Sequence, residues 1–105
     1  MSSRSSTPDP DVEAPYPGIR RRTFDTAQAT IVEYSFEPGA TFPLHSHPHE
    51  QIVVVREGSL DLTVGGHVTN LGRGEWSAIR GHEEHGVTAG DEGASFLAIL
   101  VPRRG

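Results

Sequence analysis

Gly39-Ala40-Thr41-Phe42-Pro43-Leu44-His45-Ser46-His47-Pro48-His49-Glu50-Gln51 is the stretch that decides how this chain folds and what it holds. His45 and His47 stand two residues apart. A strand alternates its side chains with period two, so both rings are expected on one face. Pro48 interrupts the strand, and Gln51 restarts it at the head of the apolar run Gln51-Ile52-Val53-Val54-Val55-Arg56, which leads to Gly58. A second cluster, Gly74-Glu75, Ile79 and His85-Gly86, follows further along. His85 therefore arrives from a later strand. Neutral imidazole is the commonest protein ligand for divalent transition metals. The pattern predicts one metal site made by His45, His47, Gln51 and His85.

The same residues carry a family resemblance. Gly39-x5-His45-x-His47-x3-Gln51-x6-Gly58 resembles the first cupin motif, with Gln51 where that family usually has Glu. Leu71-x-x-Gly74-Glu75-x3-Ile79-x5-His85-Gly86 resembles the second, with Arg80-Gly81 where many cupins show two prolines. The match spans roughly residues 30 to 101. It implies a double-stranded β-helix, the jelly-roll barrel, with one bound divalent ion (Fe, Mn, Ni or Zn). The run from His45 to Gln51 further resembles cupins that ketonise unsaturated uronates in pectin and alginate breakdown.

Composition narrows the chemistry independently. All nine basic residues are Arg, so Schiff-base chemistry, a pyridoxal-phosphate lysine and a Walker-type phosphate loop are excluded. With no Cys there is no thiolate nucleophile, no sulfur-ligated zinc and no disulfide. A net charge of −5 argues against a broad nucleic-acid-binding face. Residues 1–18 hold four Ser, four Pro and no apolar run, which predicts a flexible N-terminal tail ahead of a single domain over 19–105. The lack of an apolar leader or span sets the expectation of a cytoplasmic protein without membrane contact. So short a domain is marginal alone, burying about 60–65% of its unfolded surface. A homodimer is expected, with the segment Ile19 to Phe24 adding to the sheet of a partner copy. The basic run Arg20-Arg21-Arg22, where the tail meets the first strand, reads instead as charge guarding an edge strand.

Only strands and turns are expected. Val32, Tyr34 and Phe36 alternate with Glu33 and Ser35, and Ile52 to Val55 reads as a strand covered on both sides. Leu60, Leu62 and Val64 alternate before Gly65-Gly66, a two-residue hairpin turn. Val68 to Leu71, Trp76 to Ile79, Gly86 to Thr88 and Ser95 to Val101 complete the set. Short strands separated by Gly and Pro mean an all-β sandwich or closed barrel.

Several residues carry narrower expectations. His82-Glu83-Glu84-His85 differs from the zinc-protease helix because its histidines are three apart and glycines flank it, so His82 belongs to a loop near the mouth. Behind Pro48, His49 is expected beside the site rather than in it. His67, next to a turn, is expected in solvent. Glu50 points away from Gln51 on an ideal strand. Phe36, Phe42, Val53, Val55, Trp76 and Ile79 are candidates for pocket lining or core. Arg80 is the candidate contact for a substrate carboxylate. Gln51 is the informative departure: a neutral ligand leaves a divalent site at +2, where a carboxylate would leave +1, making a stronger Lewis acid. The expected function is metal-dependent work on a small molecule, with isomerase or lyase chemistry on a keto, enol or sugar acid. An iron-dependent dioxygenase and a non-catalytic ligand-binding module are the alternatives.

Overall fold

The computed structural model describes residues 11–104, and every regular element among them is a β-strand. The first ten residues of the expected tail lie outside the described residues. The strands are β1 (Ile19–Asp25), β2 (Thr30–Phe36), β3 (Thr41–His45), β4 (Glu50–Val64), β5 (His67–Gly72), β6 (Trp76–Ile79) and β7 (His85–Val101). All neighbours pair antiparallel.

β4 and β7 run for 15 and 17 residues, each the length of two or three ordinary strands. The separate strands expected on either side of Gly58, and on either side of Gly93, are each one continuous element. Both glycines are bends, at φ 73° and 79°. A Cβ at Gly58 would run into the Gly93 carbonyl, so the corner closes only with glycine. Register shifts flank it, between Val55 and Glu57 and between Gly58 and Leu60. β4 therefore meets β7 twice, Glu50–Gly58 against Val101–Ala94 and Leu60–Val64 against Ala89–His85. The first half of β4 lies in the order β1-β2-β7-β4-β6, the second in β3-β7-β4-β5. This is the all-β jelly-roll barrel.

Side chains alternate about this frame. Val53, Val55, Leu60, Leu62, Ile79, Val87 and Phe96 fill the interior at 6% exposure or less. The Gly65-Gly66 turn forms as expected, both residues at positive φ. Trp76 departs from expectation. It pairs with Val54 on the outer surface and is 65% exposed, whereas Ile79, of the opposite parity, is buried. All seven residues of β1 pair with β2 of the same chain. The reason is local: Thr26 accepts the Ala29 amide on its Oγ1 at 2.9 Å, closing a hairpin whose short loop costs little entropy. Glu13 pairs with Arg21 along part of the outer edge of β1.

Candidate metal centre

His45 ends β3 and lies directly across from His85 at the start of β7. Their rings stand 4.3 Å apart, and the His47 ring is 4.8 Å from His85 and 5.6 Å from His45. One ligand nitrogen from each of the three histidines lies within 4.8 Å of the others. His47 stands beyond the strand, so its ring is placed by the bend at residues 46–49 rather than by strand alternation alone. Gln51 shares the inward face of β4 with Val53 and Val55 and is 8% exposed.

Backbone carbonyls set the ring orientations. The Nδ1–H of His45 donates to Pro43 at 2.8 Å, that of His47 to His49 at 3.0 Å, and that of His85 to Glu83 at 2.8 Å. A carbonyl only accepts, so each neutral ring carries its proton on Nδ1 and keeps its lone pair on Nε2. Two consequences test whether a metal fits. His85 Nε2 is buried with no hydrogen-bond partner. His47 Nε2 faces Gln51 Oε1 at 3.0 Å, one acceptor against another when His47 is neutral. Two ligand atoms at right angles, each about 2.1 Å from one ion, also stand about 3.0 Å apart. The donor set fits a divalent transition-metal ion.

Burial lowers the pKa of His45 and of His85, and neighbouring imidazoles push further the same way. The Pro43 and Glu83 carbonyls pull back without reversing either shift. Both shifts favour the neutral ring, the form in which an imidazole can bind a metal.

The surroundings were only partly legible. The loop after β6 is tied to the first motif, as His82 N–H donates to the His47 carbonyl at 2.6 Å with His82 at φ 68°. A Cβ at Gly81 would strike the Pro48 carbonyl. His49 orients His47 through its carbonyl, and its ring packs edge-on against that of His47 at 5.6 Å. His67 is exposed, as expected. Arg80 is exposed, its amide donating to Glu83 Oε1 at 3.1 Å. Arg104 went unnoticed in the sequence, yet its charge acts on both His45 and His49 and, after burial, helps to lower both. Its amide donates to Thr30 Oγ1 at 2.8 Å, and that hydroxyl donates to Asp25 at 2.6 Å. No motif marks a residue held by a partner 74 positions away. On the inner side, Tyr34, Phe36, Phe42 and Phe96 pack behind His45 and leave a cavity of only about 20 Å³, room for about one water. Two concavities, of about 480 and 390 Å³, are lined by residues 14–20 with Glu37 and by the Arg20–Arg22 face, away from the histidines.

Residues 32–100 match the cupin domain family Cupin_2. The chain is a cupin. KdgF from Halomonas sp. superposes with a TM-score of 0.82 at 28% identity, over 90% of this chain and 87% of that one. An RmlC-like cupin from Shewanella frigidimarina gives 0.81 at 23% identity, over 99% and 96%. A tryptophan-to-tyrosine variant of Bacillus subtilis oxalate decarboxylase gives 0.78 at 22% identity, over 81% of this chain but 26% of that one. The last two likenesses concern the fold alone. No curated protein sequence matches this one significantly.

Proposed function

We propose that this cupin holds one divalent transition-metal ion through His45, His47, Gln51 and His85, and is an isomerase or lyase acting on a small keto, enol or sugar acid. The observation that carries the metal assignment is the inward convergence of the three imidazoles, with His85 Nε2 buried and without a partner and His47 Nε2 at 3.0 Å from Gln51 Oε1. Held by these residues, a divalent ion would supply Lewis acidity toward a substrate oxygen. The neutral Gln51 leaves that acidity undiminished. Arg104 offers the positive charge that an anionic substrate would meet at the histidines, and its planar fork suits a carboxylate. Resemblance of the first motif to uronate-ketonising cupins, and the 28% identity with KdgF, favour an unsaturated uronate as the substrate class.

The test begins with elemental analysis of protein purified without a His tag. One ion per chain is expected, lost in His47→Ala. Proton exchange and ketonisation are then followed on unsaturated uronates under nitrogen and under air. Equal turnover in both supports the proposal. Strict oxygen dependence would transfer the site to the dioxygenase reading, and tight binding without turnover to a ligand-binding module. Gln51→Glu should keep the metal and lower turnover by about one to two orders of magnitude, as for removal of one electrostatic contribution to a transition state.

A further inference from the structure

The outer surface of β1-β2-β7-β4-β6 changes character along its strands. At the end nearer Gln51, Phe24, Ile31, Ile99, Ile52 and Ala78 form an apolar row across five strands. Two rows on, toward the Gly58–Gly93 corner, the register sets Arg20, Ser35 and Ser95 side by side. The row between them carries Arg22 opposite Glu33. The bulge of β4 between Val55 and Glu57 adds Arg56. Its guanidinium reaches back across β7 to Glu33 Oε2 on β2, at 3.4 Å. The Arg22 guanidinium lies 5.5 Å from the centre of the Phe24 ring, a cation–π contact that fixes its place. These side chains, with Val12, enclose a concavity of about 390 Å³. Among the described residues, Glu33 is the only carboxylate lining it.

We propose that this concavity binds the phosphate group of a small phosphorylated molecule, at a site separate from the metal centre. Charge is the first argument. Arg20, Arg22 and Arg56 against Glu33 leave +2, on a chain whose net charge is −5. Arg21 also lines the concavity but is paired with Glu13 at 3.0 Å. A phosphate monoester carries about −1.5 to −2 at neutral pH, which matches that charge. The Arg56–Glu33 contact leaves it available: both groups are half-exposed, so water and salt screen the pair, and a guanidinium has five N–H donors. Geometry is the second argument. Guanidinium forks enter from β1 on one side and from β4 on the other, and the Ser35 and Ser95 hydroxyls lie on the floor between them. The three free oxygens of a phosphate ester meet donors from three directions, where a carboxylate offers two oxygens in one plane. Size is the third. The volume falls within the about 300–1,000 Å³ of small-molecule pockets, so an organic remainder fits beside the phosphate. An adjoining hollow of about 210 Å³ shares Ser35 and Ser95 and carries Glu57 and Glu92. Those carboxylates repel a second anionic group, which selects a single phosphate over a nucleic-acid backbone.

Calorimetric titration of the full-length protein with glycerol 3-phosphate, inorganic phosphate and acetate tests this. One saturable site per chain is expected for both phosphates, weakening as salt is added, with acetate at least about tenfold weaker. Amide NMR shifts on adding phosphate should centre on Ser35, Ser95 and Arg56. Arg20→Gln and Arg56→Gln, both at exposed positions away from the histidines, should each raise the dissociation constant about tenfold or more, as for the loss of a hydrogen bond to a charged group. Circular dichroism and metal content should not change in either. His47→Ala should bind both phosphates as wild type does, which separates this site from an anion held at the metal centre and lets the two proposals fail independently. Absence of saturable binding up to about 10 mM would overturn the proposal. So would binding that both Arg substitutions leave intact, binding lost in His47→Ala, acetate held as tightly as phosphate, or a site that takes inorganic phosphate but not the ester.

Discussion

The inward face of β4 behaves differently at its two ends. Beyond the Gly58 bend it carries Leu60 and Leu62, at 0% and 1% exposure, packed among Val87, Ala89 and Leu71. At its start the inward position is Gln51, almost as buried, but facing imidazoles rather than hydrocarbon. The same strand with the same alternation makes an apolar core in one half and a polar pocket in the other. A buried apolar side chain is satisfied by contact alone, whereas a buried acceptor requires a donor or a cation. Leu60 and Leu62 complete the fold. Gln51, His47 and His85 leave it incomplete, and the proposed metal ion would complete it.

Substitutions can break or sharpen this contrast. The largest effect is expected at the junction of the halves. Gly58→Ala forces a left-handed φ on alanine and drives its Cβ into the Gly93 backbone. It should cost several kcal/mol, a large part of the about 5–15 kcal/mol that holds a typical domain together. A soluble, cooperatively melting variant would show that the corner is adaptable.

Next is Leu62→Ala, expected to cost about 2–5 kcal/mol in urea denaturation, with or without metal. His85→Leu should behave oppositely in the two conditions. In chelated protein it removes a buried acceptor without a partner and should leave stability unchanged or raise it, by up to about 1–3 kcal/mol. With metal at about a hundred times its dissociation constant, wild type alone should gain about 2.7 kcal/mol. A variant destabilised equally with and without metal would mean that His85 is an ordinary core residue.

The smallest effect is the pH dependence of the metal-free protein. His45 and His85 have folded-state pKa values below the unfolded value of about 6.5, with burial the first cause. The unfolded chain therefore takes up protons first. Stability should be full above about pH 6.5 and fall as pH drops through that value toward the lowered native pKa values. Urea midpoints at about pH 7.5, 6.5 and 5.5 measure it, and His85→Leu should show a shallower fall. A profile as steep in the variant as in wild type would remove His85 from the cause.

Most of the barrel could be read from alternation, because apolar period two is a local signal and the Gly65-Gly66 turn states its own geometry. The misreadings share one physical origin. Gly58 and Gly93 look like chain reversals in sequence, yet their positive φ serves to bend continuous strands, and only the close approach between them reveals this. Trp76 looks like a core aromatic, but its parity relative to Ile79 turns it outward. Arg104 has no motif; it reaches the histidines because Thr30, near the opposite end of the domain in sequence, holds its amide.

The sequence by itself determined an all-β cupin, the grouping of His45, His47, Gln51 and His85, and, through the missing Lys and Cys, the exclusion of imine and thiolate chemistry. These follow from residue type and spacing, which need no coordinates. The tertiary structure alone decided which nitrogen each imidazole turns inward, because Pro43, His49 and Glu83 orient the rings through carbonyls whose directions depend on bend and loop geometry. It also decided that the outer face of β4 and β7 is apolar across five strands. That pattern exists only once residues far apart in the chain are brought into register.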